Sequence, residues 1–267
     1  GLGRMAQALL LPLIQRGDFL PENVFGVVGH EGSVQNAIDQ LPNGVKVVAS
    51  DHPKALDVWR APIQILGVKP QQLFSVGEQI KGLQDKVLPP SPLLVSLLAG
   101  VNLKRLEKVF PHHVCVRAIP NAPVLVGDGV TGLAWGEGLT SEQCALVKRL
   151  FQPISEVFEL LEEQMDAFLA LTSSGPAYVA LMAEAMADGA VASGLPRMLA
   201  YHLATRTLAG TASLLSEKQL HPGELKDMVA SPGGTTIAAL RHLEKAGVRS
   251  ALIEAVVVAA ERSREMF

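Results

Sequence analysis

Ser231-Pro232-Gly233-Gly234-Thr235-Thr236 places three hydroxyls, two glycines and a proline between two helical patterns. The segment before it, Lys226 to Ala230, has the pattern of a helix end that Pro222 opens. Pro232 stops that helix, and the glycines allow turns that a side chain would block. After it, Ile237, Leu240, Leu243 and Val248 form a new apolar stripe, with Thr235 or Thr236 as the expected N-cap. A helix start offers unpaired N–H groups and the positive end of the helix dipole, so the chemistry that fits is the binding of a carboxylate or phosphate. Taken alone, the same residues also satisfy an ordinary capped helix start.

A second string of this kind is Gly1-Leu2-Gly3-Arg4-Met5-Ala6, which leads into a helical pattern from Ala6 to Arg16. In a dinucleotide fold the first glycine makes the tight turn, the second lets the backbone approach the pyrophosphate, and the third position needs a small residue against the sheet. The elements that must position such a string follow it. Val24 to Val28, Val45 to Ala49, Ile63 to Val68, Leu93 to Ala99 and Val114 to Ile119 are short apolar runs separated by helical patterns. Continuous apolar strands of this kind imply a parallel sheet covered on both faces. From about Glu162 onward the chain is Ala- and Leu-rich with helical spacing, and helices are expected over 176–193, 197–216, 222–230, 236–245 and 249–266. The expected architecture is an α/β Rossmann-like domain over residues 1–153 and an all-α domain over 154–267. The strand that normally precedes the glycine string is expected to be missing from the sequence.

Several function classes are excluded by composition. A chain of 267 residues that is 48% hydrophobic and 18% charged can bury a large core, and its net charge of −3 carries no basic footprint for nucleic acid. Apolar runs such as 255–260 are too short to span a bilayer, and no secretory leader is visible, so a cytoplasmic location is expected. Cys115, Cys144 and the seven histidines lack metal-ligand spacing, and no metal is expected.

Eight strings in order match one family: GLGRMA from Gly1, VKPQ from Val68, SLLAGV from Ser96, PNAP from Pro120, SGPAY from Ser174, GLP from Gly194, HPGELKDMV from His221 and SPGGTT from Ser231. The chain resembles the pyrroline-5-carboxylate reductases, and SGPAY followed by SPGGTT is the most specific part of the match. The resemblance implies hydride transfer from NAD(P)H to the cyclic imine of 1-pyrroline-5-carboxylate, giving L-proline, in a protein whose helical domain dimerises. It implies that Thr236 reaches the ring nitrogen and that the N–H groups of Gly234 and Thr235 take the substrate carboxylate. Ser174, Ser231 and Gly233 would complete that pocket. For the cofactor, NADP or NAD, it implies Gly1, Gly3, Arg4 and Met5 along the pyrophosphate. Gly67, Val68, Lys69, Pro70, Ala99 and Gly100 would border the ribose and nicotinamide, with Asn121 beside the latter.

Two features bear on the cofactor and the pocket. At the end of the strand at Val28, His30 and Ser33 suit the extra phosphate of NADP and Glu31 suits a ribose hydroxyl. The resemblance places Asp51 where many family members carry an asparagine near the adenosine ribose, and a carboxylate there would repel a 2′-phosphate, which leans toward NADH. Leu169 stands where the family run ahead of SGPAY carries a hydroxyl. A related imine or hydroxyacid reductase would place a lysine in the linking helix, and none occurs between Glu163 and Ser193. A non-catalytic NAD(P)-binding or regulatory protein is the other alternative.

Overall fold

The computed structural model describes residues 1–81 and 88–266. Helix α1 (Arg4–Gln15) leads to strand β1 (Phe25–Val28), the short helix α2 (Val34–Ile38) and β2 (Lys46–Ala49). Next come β3 (Ile63–Leu66), α3 (Leu73–Lys81), β4 (Leu93–Ser96), α4 (Leu103–Val109) and β5 (Val114–Pro120). These are followed by β6 (Gly129–Trp135), α5 (Ser141–Phe151), β7 (Ser155–Glu159) and α6 (Met165–Thr172). The remainder is helical: α7 (Gly175–Ala192), α8 (Arg197–Lys218), α9 (Pro222–Val229), α10 (Thr235–Lys245) and α11 (Val248–Glu265).

The chain forms two compact units, one of Gly1–Ser173 with the residues from Ala260 onward and one of Ser174–Ala259. In the first unit, β1 and β2 make a parallel pair, and a separate sheet has the order β3-β4-β5-β6-β7. Its first three strands are parallel, β5 and β6 are antiparallel, and β6 and β7 are parallel. Side-chain alternation assigns its two faces. Leu94, Cys115, Ile119 and Ala134 pack with Leu73 and Ile80 of α3, Leu106 of α4 and Met165 of α6. Leu93, Val95, Val116 and Leu133 pack with Leu9 and Leu13 of α1 and with Val147 and Leu150 of α5. Burial on both faces is why the inner strands are unbroken apolar runs.

The apolar runs do not point to β6 and β7. Gly129 and Gly132 interrupt the first, and the second reads Ser-Glu-Val-Phe-Glu, so pairing rather than hydrophobicity defines it. Strands β3 and β4 end at Leu66 and Ser96, earlier than the runs imply, which leaves Gly67–Pro70 and Leu97–Gly100 as loops.

In the second unit the closest packing rests on small residues, with Ala187, Ala200 and Ala204 buried between α7 and α8. Larger apolar side chains on the same helices are exposed, Leu181 at 66% and Met198 at 81%. A surface so apolar calls for a partner.

One buried polar cluster sets a pH dependence in the first unit. Gln64 donates to the carbonyls of Trp59 and Ala61, so its Oε1 accepts from His113 Nε2 at 2.9 Å. His113 packs edge-on to Trp59 and Phe110, and its Nδ1 is buried without a partner. Burial, with a smaller contribution from His112, lowers its pKa from 6.5 to about 4. The unfolded chain takes up this proton first, so the contribution is complete above the ordinary pKa and is lost as the pH falls from there toward the lowered one. Acidification from about pH 7 to about pH 4 removes about 3 kcal/mol through this group. His113→Gln should shrink the drop in unfolding free energy between those pH values by that amount, as read from urea titrations.

Candidate active site

Helix α10 begins on glycine. Gly233 has φ +68°, a left-handed conformation that side chains disfavour, and Gly234 is the N-cap with φ −79° and ψ 176°. Neither threonine caps the helix, contrary to expectation, because Thr235 already has helical geometry as its first residue. The Gly234 N–H donates to the Ser231 carbonyl at 3.0 Å and closes the turn, so it is not among the free donors. Among the described residues the N–H groups of Thr235, Thr236 and Ile237 have no acceptor, and the first turn holds no acidic side chain. By contrast, α4 and α5 are capped by Asn102 and Thr140, and α9 by His221. Three leading donors and two threonine hydroxyls suit a small carboxylate. Ser174, in the same unit, precedes α7 and has no side-chain capping bond.

The first unit repeats the device. Gly3 caps α1 with φ −72° and ψ 176°, without a side-chain bond and without an acid in the first turn. Nothing lies within 4 Å of a Cβ built on Gly3, whereas one on Gly1 would lie 2.7 Å from the Gly67 carbonyl oxygen. A Cβ on Gly67 would lie 2.8 Å from the Gly1 oxygen and 3.3 Å from Ala6 Cβ. The glycine string is thus pressed against the end of β3 in a contact that only glycines permit, and Ala6 is the small residue this packing requires. An open, uncapped helix start over a glycine turn fits the pyrophosphate of a dinucleotide.

Most of the other candidates follow strand ends, and Arg4 and Met5 open α1. Val68 packs on the core, Lys69 is exposed, and Pro70 opens the turn beyond β3. Ala99 and Gly100, the latter at φ +72°, follow β4, which is parallel to β3 in a register that pairs Leu66 with Ser96. Arg4 is exposed, and Met5 is partly buried against the second core cluster, which leaves its backbone N–H as the group it could offer an anion. His30 follows β1 and hydrogen-bonds the Ser33 hydroxyl, and Ser50 ties this loop to β2 by donating to the Gly29 carbonyl at 2.9 Å. Asn121 follows β5 with its side chain engaged, donating to the Thr172 carbonyl at 3.1 Å and accepting from Val130 N–H at 2.9 Å. A ligand would meet only what remains of that amide.

Over 266 residues the chain is 43% identical to the pyrroline-5-carboxylate reductase of Synechocystis sp., with 100% of this chain and 96% of that protein covered. It is 36% identical over 267 residues to the Escherichia coli enzyme of the same name, at the same coverage. The chain belongs to the pyrroline-5-carboxylate reductase family. The solved structure of Plasmodium falciparum pyrroline carboxylate reductase with NADP bound superposes with a TM-score of 0.84 at 28% identity, covering 100% of this chain and 95% of that one. The family profile described as pyrroline-5-carboxylate reductase dimerisation matches residues 162–266, which carry the exposed apolar side chains. The profile described as NADP oxidoreductase, coenzyme F420-dependent, matches residues 1–100.

Against the family run, Leu169 packs on the first core cluster, which accounts for an apolar side chain there. Sequence reasoning missed Arg117, which is 1% exposed inside β5 and paired with Glu162 at 2.9 Å and Asp166 at 3.3 Å. The signal was one arginine in an otherwise apolar strand, since a buried charge requires partners.

Gly67→Ala should destabilise the chain by about 1–3 kcal/mol through overpacking. Gly3→Ala, with open space around it, should cost under about 1 kcal/mol. Urea midpoints of the two variants check the contrast.

Proposed function

We propose that the chain reduces 1-pyrroline-5-carboxylate to L-proline with NADPH or NADH, the last step of proline biosynthesis, in the cytoplasm and as a homodimer or higher homo-oligomer. The observation that carries this reading is the bare, acid-free start of α10, with three free N–H donors and the Thr236 hydroxyl in one turn. Residues 1–153 bind the dinucleotide and residues 154–267 bind substrate and dimerise.

The reduced nicotinamide supplies the hydride. The protein's residues hold and orient. The N–H groups of Thr235 and Thr236 take the substrate carboxylate at the positive end of α10, with Ser231 and Ser174 lining the pocket and Gly233 and Gly234 shaping it. Thr236 Oγ1 meets the ring nitrogen. A protonated imine already carries the charge that hydride transfer neutralises, so no strong acid is required and orientation supplies the main gain. This accords with α10 and α1 starts free of carboxylates. Gly1, Gly3, Arg4 and Met5 hold the pyrophosphate, and the loops after β3 and β4 border the ribose and nicotinamide. His30 lies on the adenosine side, where Asp51 disfavours a 2′-phosphate.

Steady-state oxidation of NADH and NADPH by the purified chain with 1-pyrroline-5-carboxylate tests the reaction, and cofactor binding without turnover contradicts it. Thr236→Ala should lower kcat about 100- to 1,000-fold, the cost of losing one preorganised donor, with cofactor affinity nearly unchanged. An equal loss of cofactor binding would assign the loop to the nucleotide. Asp51→Asn should lower KM for NADPH and leave KM for NADH unchanged.

A further inference from the structure

Strands β1 and β2 run parallel in a register that pairs Val28 with Ala49, so the residues that follow them, Gly29 and Ser50, leave the pair side by side. The Ser50 hydroxyl bridges them by donating to the Gly29 carbonyl at 2.9 Å. Each bridged residue is followed by one that matters to a 2′-phosphate, His30 after Gly29 and Asp51 after Ser50. The same strand pair lies beside the glycine string. Leu2 packs in one cluster with Val28 and Val47, and it fills the space that a side chain on Gly26 would need. A dinucleotide with its pyrophosphate on Gly1 to Met5 would extend its adenosine ribose toward these two loops.

The two loops are not held equally. Beyond β2, His52 N–H donates to the Ala49 carbonyl at 3.1 Å, Lys54 N–H to His52 Nδ1 at 3.1 Å and Ala55 N–H to the His52 carbonyl at 2.8 Å. Asp51 therefore sits inside a turn that closes on its own strand. Beyond β1, Ser33 N–H donates to the His30 carbonyl at 3.0 Å and the Ser33 hydroxyl bonds the imidazole, which joins His30 and Ser33 in one small turn. Gly29, at the root of that turn, is exposed, and a Cβ built on it meets nothing within 4 Å among the described residues. Packing does not hold this root; the Ser50 bond ties it to β2.

We propose that Ser50 is a positioning residue for the choice of cofactor: by holding the Gly29 carbonyl, it keeps His30 and Ser33 where they receive the 2′-phosphate of NADPH against the opposing charge of Asp51. This rests on the cofactor placement proposed above. Loss of the hydroxyl frees the turn that favours the phosphate and leaves Asp51 in place, so the effect falls on NADPH and spares NADH.

Dissociation constants for NADPH and NADH, read from nicotinamide fluorescence on the full chain, test this. The Ser50 bond is exposed, so its removal leaves the fold intact. Ser50→Ala should raise the NADPH Kd about 3- to 10-fold, the worth of one hydrogen bond, and leave the NADH Kd within about twofold. Ser50→Thr, which keeps the hydroxyl, should stay within about twofold of the unmodified chain for both cofactors. In a His30→Ala background, Ser50→Ala should change the NADPH Kd by less than about twofold, because its effect passes through that side chain. An unchanged NADPH Kd in Ser50→Ala, an equal rise for NADH that assigns the turn and its Glu31 to the ribose, or a full further loss in the His30→Ala background overturns the proposal. Absence of turnover in the unmodified chain would instead sink the proposed reaction, and the binding constants would still decide the role of Ser50.

Discussion

A helix that starts on glycine has leading N–H groups that its own backbone cannot satisfy, and the proposed reaction depends on two such starts. Gly3 and Gly234 cap their helices with nearly the same backbone angles, and neither first turn has an acidic side chain. Three other helices use a side chain instead: Asn102, Thr140 and His221 cap α4, α5 and α9. A glycine cap in place of a capping side chain forgoes roughly a few tenths of a kcal/mol at each start. In the proposed reaction the substrate carboxylate and the cofactor pyrophosphate would take up those donors.

The sheet makes this arrangement dependable. Parallel strands β3, β4 and β5 bring three loops to one end, and packing on both faces fixes where each strand stops. Gly67 permits the glycine string to lie directly against the end of β3. Strand β5 and the residue that follows it add a second constraint: Arg117 and Asn121 fasten the two ends of α6.

Much of this was legible in the sequence, for identifiable reasons. Inner strands announce themselves because burial on both faces demands unbroken apolar runs, and the helices of the second unit announce themselves through Gly194, Pro196 and Gly247 at their ends. Strand β7 was illegible because an edge strand with exposed glutamates takes its conformation from its neighbour. The cap of α10 was placed one or two residues late, on Thr235 or Thr236 instead of Gly234, since a Gly-Thr-Thr sequence does not reveal which residue first becomes helical. The Arg117 cluster could not be read because Glu162 and Asp166 lie 45 and 49 positions away in sequence, and only the fold brings them together.

The central claim is that the hydride goes to an imine carbon of a ring whose carboxylate sits on α10. The most direct measurement is the fate of deuterium from the transferring position of the reduced nicotinamide, followed by mass spectrometry and NMR of the product of 1-pyrroline-5-carboxylate. The expected result is L-proline with deuterium on the ring carbon that was doubly bonded to nitrogen. Cofactor oxidation that yields unlabelled proline, or no proline, would contradict it.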